Sequence, residues 1–163
     1  MGTTTAYKLG FGRYKERTLE WLFFNDPGYV WWMIKDDVHT QKLKGPTLPR
    51  FNDLVRRARR LRIPGTCKWC KMGKPISRMF LTQHTSGGLA KVDFDCDTCR
   101  PLGGSNTTHF QPGFFTPDAF RKYDKTGGKF MVQAIKQAYF KDPSYRMTQK
   151  RLEEFFGNPK NFL

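Results

Sequence analysis

The sequence predicts an α+β fold in which a small strand–helix module, a cysteine-bearing β-hairpin and a helical C-terminal part follow one another. Three observations lead there. Every cysteine in the chain falls into one of two CxxC pairs, Cys67-Lys68-Trp69-Cys70 and Cys96-Asp97-Thr98-Cys99. Between the pairs, two alternating apolar–polar segments flank Ser86-Gly87-Gly88, the pattern of a hairpin. Outside them, apolar residues recur at helical spacing between Asp-Pro, Pro-Gly and Gly-Gly breaks.

The hairpin is the best-defined part. Residues 78–84 read as one strand and residues 89–95 as its return. A CxxC turn converges two sulfurs on one point, and two such turns joined by a hairpin supply the tetrahedral four-thiolate set of a structural zinc ion, with Zn–S near ~2.3 Å. The sequence therefore predicts a zinc ribbon with Zn2+ on Cys67, Cys70, Cys96 and Cys99. Disulfides are disfavoured because no secretory segment precedes them, and a redox CxxC needs only one pair in a βαβ setting. Four thiolates leave no open position for water, so the metal is read as structural and not catalytic.

Composition narrows the function class. The net charge is +15, from 29 Lys plus Arg against 14 Asp plus Glu, and the positive residues occur in every third of the chain. A field of that sign draws polyanions. No apolar run approaches the ~18 residues of a membrane span. The expected setting is cytoplasmic, without a membrane partner. Fifteen Phe supply bulk for a core.

In chain order, residues 1–10 are a lead-in, and the stretch from Leu9 to Lys15 alternates like a short strand. Thr18 caps a helix over 19–23. Asp26 caps the next, with Pro27 at its first position, and residues 29–34 are apolar nearly all round, so part of that helix is core and the rest an interface or a stacking platform. Residues 36–50 read as a loop. Asn52 or Asp53 then caps a helix over 54–62, ended by Pro64-Gly65, with Leu54, Ala58 and Leu61 on one stripe and Arg56, Arg57, Arg59, Arg60 and Arg62 on the rest. That density of guanidinium groups suits phosphate contact, and the local carboxylates are too few to neutralise it. Residues 101–108 read as a linker. Phe110, Phe114 and Phe115 return to the core, Thr116 caps a helix over 117–123, and Gly127-Gly128 breaks it. Amphipathic helices follow over 130–140 and 148–156. Three segments result: 1–64, ending in the arginine helix; 65–101, the ribbon; and 102–163, the helical part, which together can form one unit.

Phe11-Gly12-Arg13-Tyr14-Lys15, then Thr18-Leu19-Glu20, then Asp26-Pro27-Gly28-Tyr29-Val30-Trp31-Trp32 resemble the small FGKYKG/DPGYLxWL module at the C-terminus of exodeoxyribonuclease X-like proteins, which also occurs in short bacterial and phage proteins. The resemblance covers the first third of the chain, and Glu16 replaces the usual glycine. It implies a nucleic-acid accessory role beside nucleases and helicases, and none of the catalytic carboxylates of the exonuclease partner domain is matched here.

Catalytic candidates are sparse. Asp93 and Asp95 share a strand face beside Asp97 and could hold magnesium, but no third ligand or base is identifiable. His39, His84 and His109 are scattered, and no phosphate loop, nucleophile elbow or dinucleotide fingerprint occurs. Among the tryptophans, Trp69 is the one whose place inside a knuckle points it outward to stack bases. The leading expectation is a non-catalytic zinc protein that binds nucleic acid, DNA ahead of RNA, through Arg13, Lys15, Arg17, Arg56, Arg57, Arg59, Arg60, Arg62, Lys68, Trp69 and Lys71. Two alternatives stay open: a protein-interaction adaptor or inhibitor docking on a nucleic-acid-processing or defence complex, and a small metal-dependent nuclease using Asp93 and Asp95.

Overall fold

The computed structural model describes residues 6–83, 89–99, 107–110, 112–114 and 117–162. Among them are the helices α1 (Leu19–Asn25), α2 (Pro27–Lys35), α3 (Val38–Lys42), α4 (Thr47–Arg59), α5 (Pro117–Phe140) and α6 (Gln149–Gly157), and the strands β1 (Arg78–Gln83), β2 (Leu89–Asp95) and β3 (Thr107–Phe110). The class is α+β, as the sequence predicts.

The N-terminal segment is not the expected strand. Lys8 makes one bridge to Thr18, and the chain between them turns through a 3-10 segment, Gly12–Tyr14. Gly10 and Gly12 both take positive φ, which interrupts a regular strand. A Cβ on Gly12 would lie 2.5 Å from the Tyr29 hydroxyl, so only glycine lets this loop approach α2. The meeting point is Asp26. Its carboxylate accepts the Tyr29 N–H at 2.9 Å, the Arg13 guanidinium at 2.5 Å and the Tyr14 hydroxyl at 2.9 Å. Tyr14 packs edge-on against Tyr29 and tilted against Trp21, with ring centroids 5.2 and 5.3 Å away. Two motifs separated in sequence are thus one unit in space. Asp26→Ala removes a helix cap and two further hydrogen bonds, and should cost about 2 kcal/mol. Asp26→Asn keeps the cap and should cost less. A urea midpoint unchanged in Asp26→Ala would show that the hub contributes nothing.

Residues 36–50 are not a loop either. They contain α3 and the first turn of α4, which starts at Thr47, ahead of the expected cap at Asn52 or Asp53, and ends at Arg59 instead of Arg62. Pro46 and Pro49 suggested a break, but proline is tolerated in a first helical turn, where its missing N–H has no acceptor. Phe51, Leu54 and Ala58 bury the inner face of α4.

The sheet is three-stranded, in the order β2-β1-β3, with both pairings antiparallel. β1 and β2 match the expected hairpin. β3 corrects the linker reading for Thr107 and Thr108, since Met79 pairs with Phe110 and Thr82 with Thr107. The rest of that linker, the Ser86-Gly87-Gly88 turn, His84, Phe115 and the Thr116 cap lie outside the described residues. The Gly127-Gly128 break is also corrected: α5 runs unbroken across both. Each glycine costs a helix about 1 kcal/mol, and tertiary packing overrides that cost. Gly128 is buried, and Met131, Val132 and Ile135 follow on the buried side.

One hydrophobic cluster gathers residues from α1, α2, α4, the hairpin, α5 and α6. Its centre is aromatic. Phe24 meets Phe114 and Phe155 edge-on at 4.8 and 5.0 Å, and Phe23 meets Phe156 at 5.4 Å. The C-terminus closes on the end of α4. Leu61 bridges Phe162, and the Arg62 N–H donates to the Asn161 carbonyl at 2.8 Å. Asp142-Pro143 differs from Asp26-Pro27: Asp142 accepts from the Ser144 N–H and hydroxyl in a tight turn, and no helix starts until Gln149.

Candidate metal centre

The first knuckle is a turn closed by its backbone. The Cys67 N–H donates to the Lys74 carbonyl at 2.8 Å, and Thr66 bridges Pro75. Gly73, at φ +63°, turns the chain back between them. The second knuckle, Cys96 to Cys99, leaves directly from the end of β2. Because β1 and β2 pair Arg78 with Asp95, the hairpin brings the two turns together.

The result is a cluster of three sulfurs. Those of Cys67, Cys96 and Cys99 all lie within 4.8 Å of one another, with Cys67 and Cys96 buried. Cys67 and Cys99 are 3.7 Å apart. Cys70 belongs to the first turn, its N–H on the Cys67 carbonyl, but its sulfur is outside the group of three. The sequence paired all four; the structure brings three of them together.

Such crowding sets the thiols against one another. A hydrogen bond with Thr98 lowers Cys96 to about 6, while burial and the neighbouring sulfurs raise Cys99 to about 12. Sulfurs this close cannot all ionise without a cation among them. The donor set therefore fits a thiophilic metal ion.

Arg78 and Asp95 support the cluster, and neither was singled out as a pair in the sequence. Asp95 is 1% exposed and receives both Arg78 Nε at 3.0 Å and Arg78 Nη2 at 2.9 Å. The same Nη2 donates to the Cys99 carbonyl. Arg78 thereby ties the start of β1, the central strand, to the second knuckle. The available signal was positional: the two residues face each other where the predicted strands meet the knuckles.

Asp93 is likewise engaged. Lys68 and Lys91 reach it at 2.5 and 2.7 Å. Burial pushes its carboxyl up, but these hydrogen bonds outweigh burial and hold it below the ordinary value. Asp93 and Asp95 share a face, as the alternation required, yet both are occupied by cations. They do not form an open pair for magnesium. The ammonium groups of Lys68 and Lys91 also sit 4.9 and 5.7 Å from the Trp69 ring centre, and Trp69 is 47% exposed. Lys71 and Met72 are exposed on the same knuckle.

The arginine helix needs a correction. Arg56 and Arg57 do not simply project outward: both bond Asp53, at 2.5 and 2.9 Å, and Arg57 also donates to the Phe156 carbonyl at 3.0 Å. Burial raises Asp53, and these arginines win and lower it. Arg57 belongs to the fold. Arg59, Arg60 and Arg62 are exposed, with no carboxylate partner among the described residues. At the N-terminal module, Arg13 is held by Asp26, Lys15 is exposed, and Arg17 stacks over Trp21 at 4.8 Å. His39 serves the core, its Nδ1 2.9 Å from the Met33 carbonyl.

No family model, curated protein or solved structure matches the chain. Among the described residues, no helix is long and apolar enough to cross a membrane.

Proposed function

We propose that this chain is a non-catalytic accessory protein that binds zinc through its cysteines and nucleic acid through its exposed arginines and lysines. Zinc accepts a thiolate set better than oxygen-seeking cations do, and Cys70 is the natural fourth donor beside Cys67, Cys96 and Cys99. DNA is the first ligand to test, in the cytoplasm, beside a nuclease or helicase of the kind the exodeoxyribonuclease X-like resemblance implies, or beside a polymerase. One observation carries the reading. After internal pairing is set aside, Arg59, Arg60 and Arg62 remain exposed on the segment that leads into the first knuckle, which itself presents Trp69 between two lysines. Cations displace counterions along a phosphate backbone, and an exposed indole stacks on a base.

The test is a titration against single- and double-stranded DNA and RNA at several salt concentrations. Arg59→Gln with Arg60→Gln should weaken binding and lower the slope of log K against log salt by roughly 0.9 per lost duplex contact, or roughly 0.7 for single strands. Unchanged affinity and slope would remove these arginines from the interface. Arg57 is unsuitable for this test, because its loss also disturbs the α4–α6 contact. Exposure of Trp69 and Met72 (47% and 78%) on one knuckle supports the adaptor reading as the second choice.

A further inference from the structure

A second basic region lies around the starts of α1 and α6. Thr18, the cap of α1, donates to Gln149 Oε1 at 2.7 Å and joins the two helices. A cavity of about 690 Å³ opens there, lined by Arg17, Trp21, Lys136, Tyr145 and Arg146. A neighbouring cavity of about 440 Å³ shares Asn25, Lys136 and Ser144 with it and adds Lys129. The two form one groove along α5, with Lys129 and Lys136 two helical turns apart, roughly 10 Å of rise. Volumes of this order suit small-ligand sites.

The acids around the groove are satisfied elsewhere, and the cations are not. Glu16 is paired with Lys8, Asp26 with Arg13, and Asp142 accepts from Ser144. Lys136, Arg17 and Arg146 have no carboxylate within ion-pair distance among the described residues. Lys136 is half-buried, and burial lowers its ammonium's affinity for its proton, with Asp142 opposing the effect only from a distance. A partly desolvated cation without a counter-ion is unfavourable, and an entering anion relieves it. Beside it, the Arg17 guanidinium sits over Trp21, 4.8 Å from the ring centre, and the pair joins a cation to an aromatic surface.

We propose that this groove holds a single-stranded segment of nucleic acid, with phosphates against Lys136 and Arg146 and a base against the Arg17–Trp21 stack. This rests on the nucleic-acid reading above and adds to it a strand preference. Bases locked in a duplex do not expose the faces that such a stack needs.

The test uses the full-length, zinc-loaded protein and a fluorescent oligothymidylate of about 12 nucleotides, followed by anisotropy across a salt series. Lys136→Met with Arg146→Gln should weaken single-strand binding by about tenfold and lower the salt slope by roughly 0.7 per lost contact. Duplex binding should change less, and Lys136→Arg should return part of the loss. A purely structural role would instead lower the thermal midpoint and leave the salt slope unchanged. Lys136→Met should keep or raise that midpoint, since it removes an unpaired, half-buried charge. If that variant does not fold, Arg146→Gln at its exposed site reads the same slope. Unchanged single-strand binding, in a protein whose Arg59→Gln/Arg60→Gln variant binds weakly, overturns the groove and leaves the wider reading standing. A wild-type protein that binds no oligonucleotide at any salt overturns both.

Discussion

Replacing Cys67 or Cys96 with serine should unfold the hairpin and both knuckles. The two residues are buried, 3% and 0% exposed, in a cluster whose members cannot ionise together without a metal. In such a site the binding free energy is folding free energy, on the order of 10 kcal/mol for structural zinc. Chelation of the wild-type protein should have the same effect, read as a large fall in thermal midpoint and reversed by added zinc. Cys70→Ser discriminates between coordination sets. A loss as large as that of the other three completes a four-thiolate site, which is the expected result. A mild loss leaves three thiolates and an exchangeable fourth position. Elemental analysis that finds no metal in freshly purified protein would sink the proposal.

Arg78→Met should be the most damaging change outside the cysteines. Asp95 is almost fully enclosed, and Arg78 gives it two charge-assisted hydrogen bonds in parallel. Breaking a buried pair from one side typically costs about 3–5 kcal/mol, because the remaining charge has been taken from water. Replacing both residues, Arg78→Met with Asp95→Leu, should recover much of that loss, and the double-mutant cycle measures the coupling. Metal affinity should also fall, by roughly 10–100-fold, because Arg78 holds the Cys99 carbonyl as well. Urea unfolding and a zinc competition titration read the two effects separately. Wild-type values in both would show that Arg78 does not support the centre.

The parts legible in the sequence were those whose signals are local. The hairpin followed from alternation, and the start of α2 from Asp26-Pro27, because a cap and a first-turn proline act within three residues. Asp93 and Asp95 fell on one face because strand periodicity is two. The illegible parts depend on distant partners. β3 is four residues long and pairs only because β1 presents an edge to it. The continuity of α5 through Gly127-Gly128 comes from packing against β2 and α2, which no propensity records. Arg57 looked like a phosphate ligand because its second partner, the Phe156 carbonyl, lies 99 residues away. Lys136 gave no signal at all, since the groove it lines is completed by Trp21 and Asn25 of α1, far away in sequence.

The closure of Leu61 on Phe162 has a kinetic consequence. The first knuckle needs only the residues from Cys67 to Lys74, and loops of that length close in roughly 10–100 ns. The anchor of the same knuckle, where the Arg62 amide meets Asn161, encloses the whole hairpin together with α5 and α6. Contacts of such long sequence separation meet their loop-closure entropy before they return any stabilisation, and they form late. Metal capture and anchoring are therefore separable in time: the thiol turns can assemble on a chain whose base is still unfastened, and refolding is paced by the final fastening.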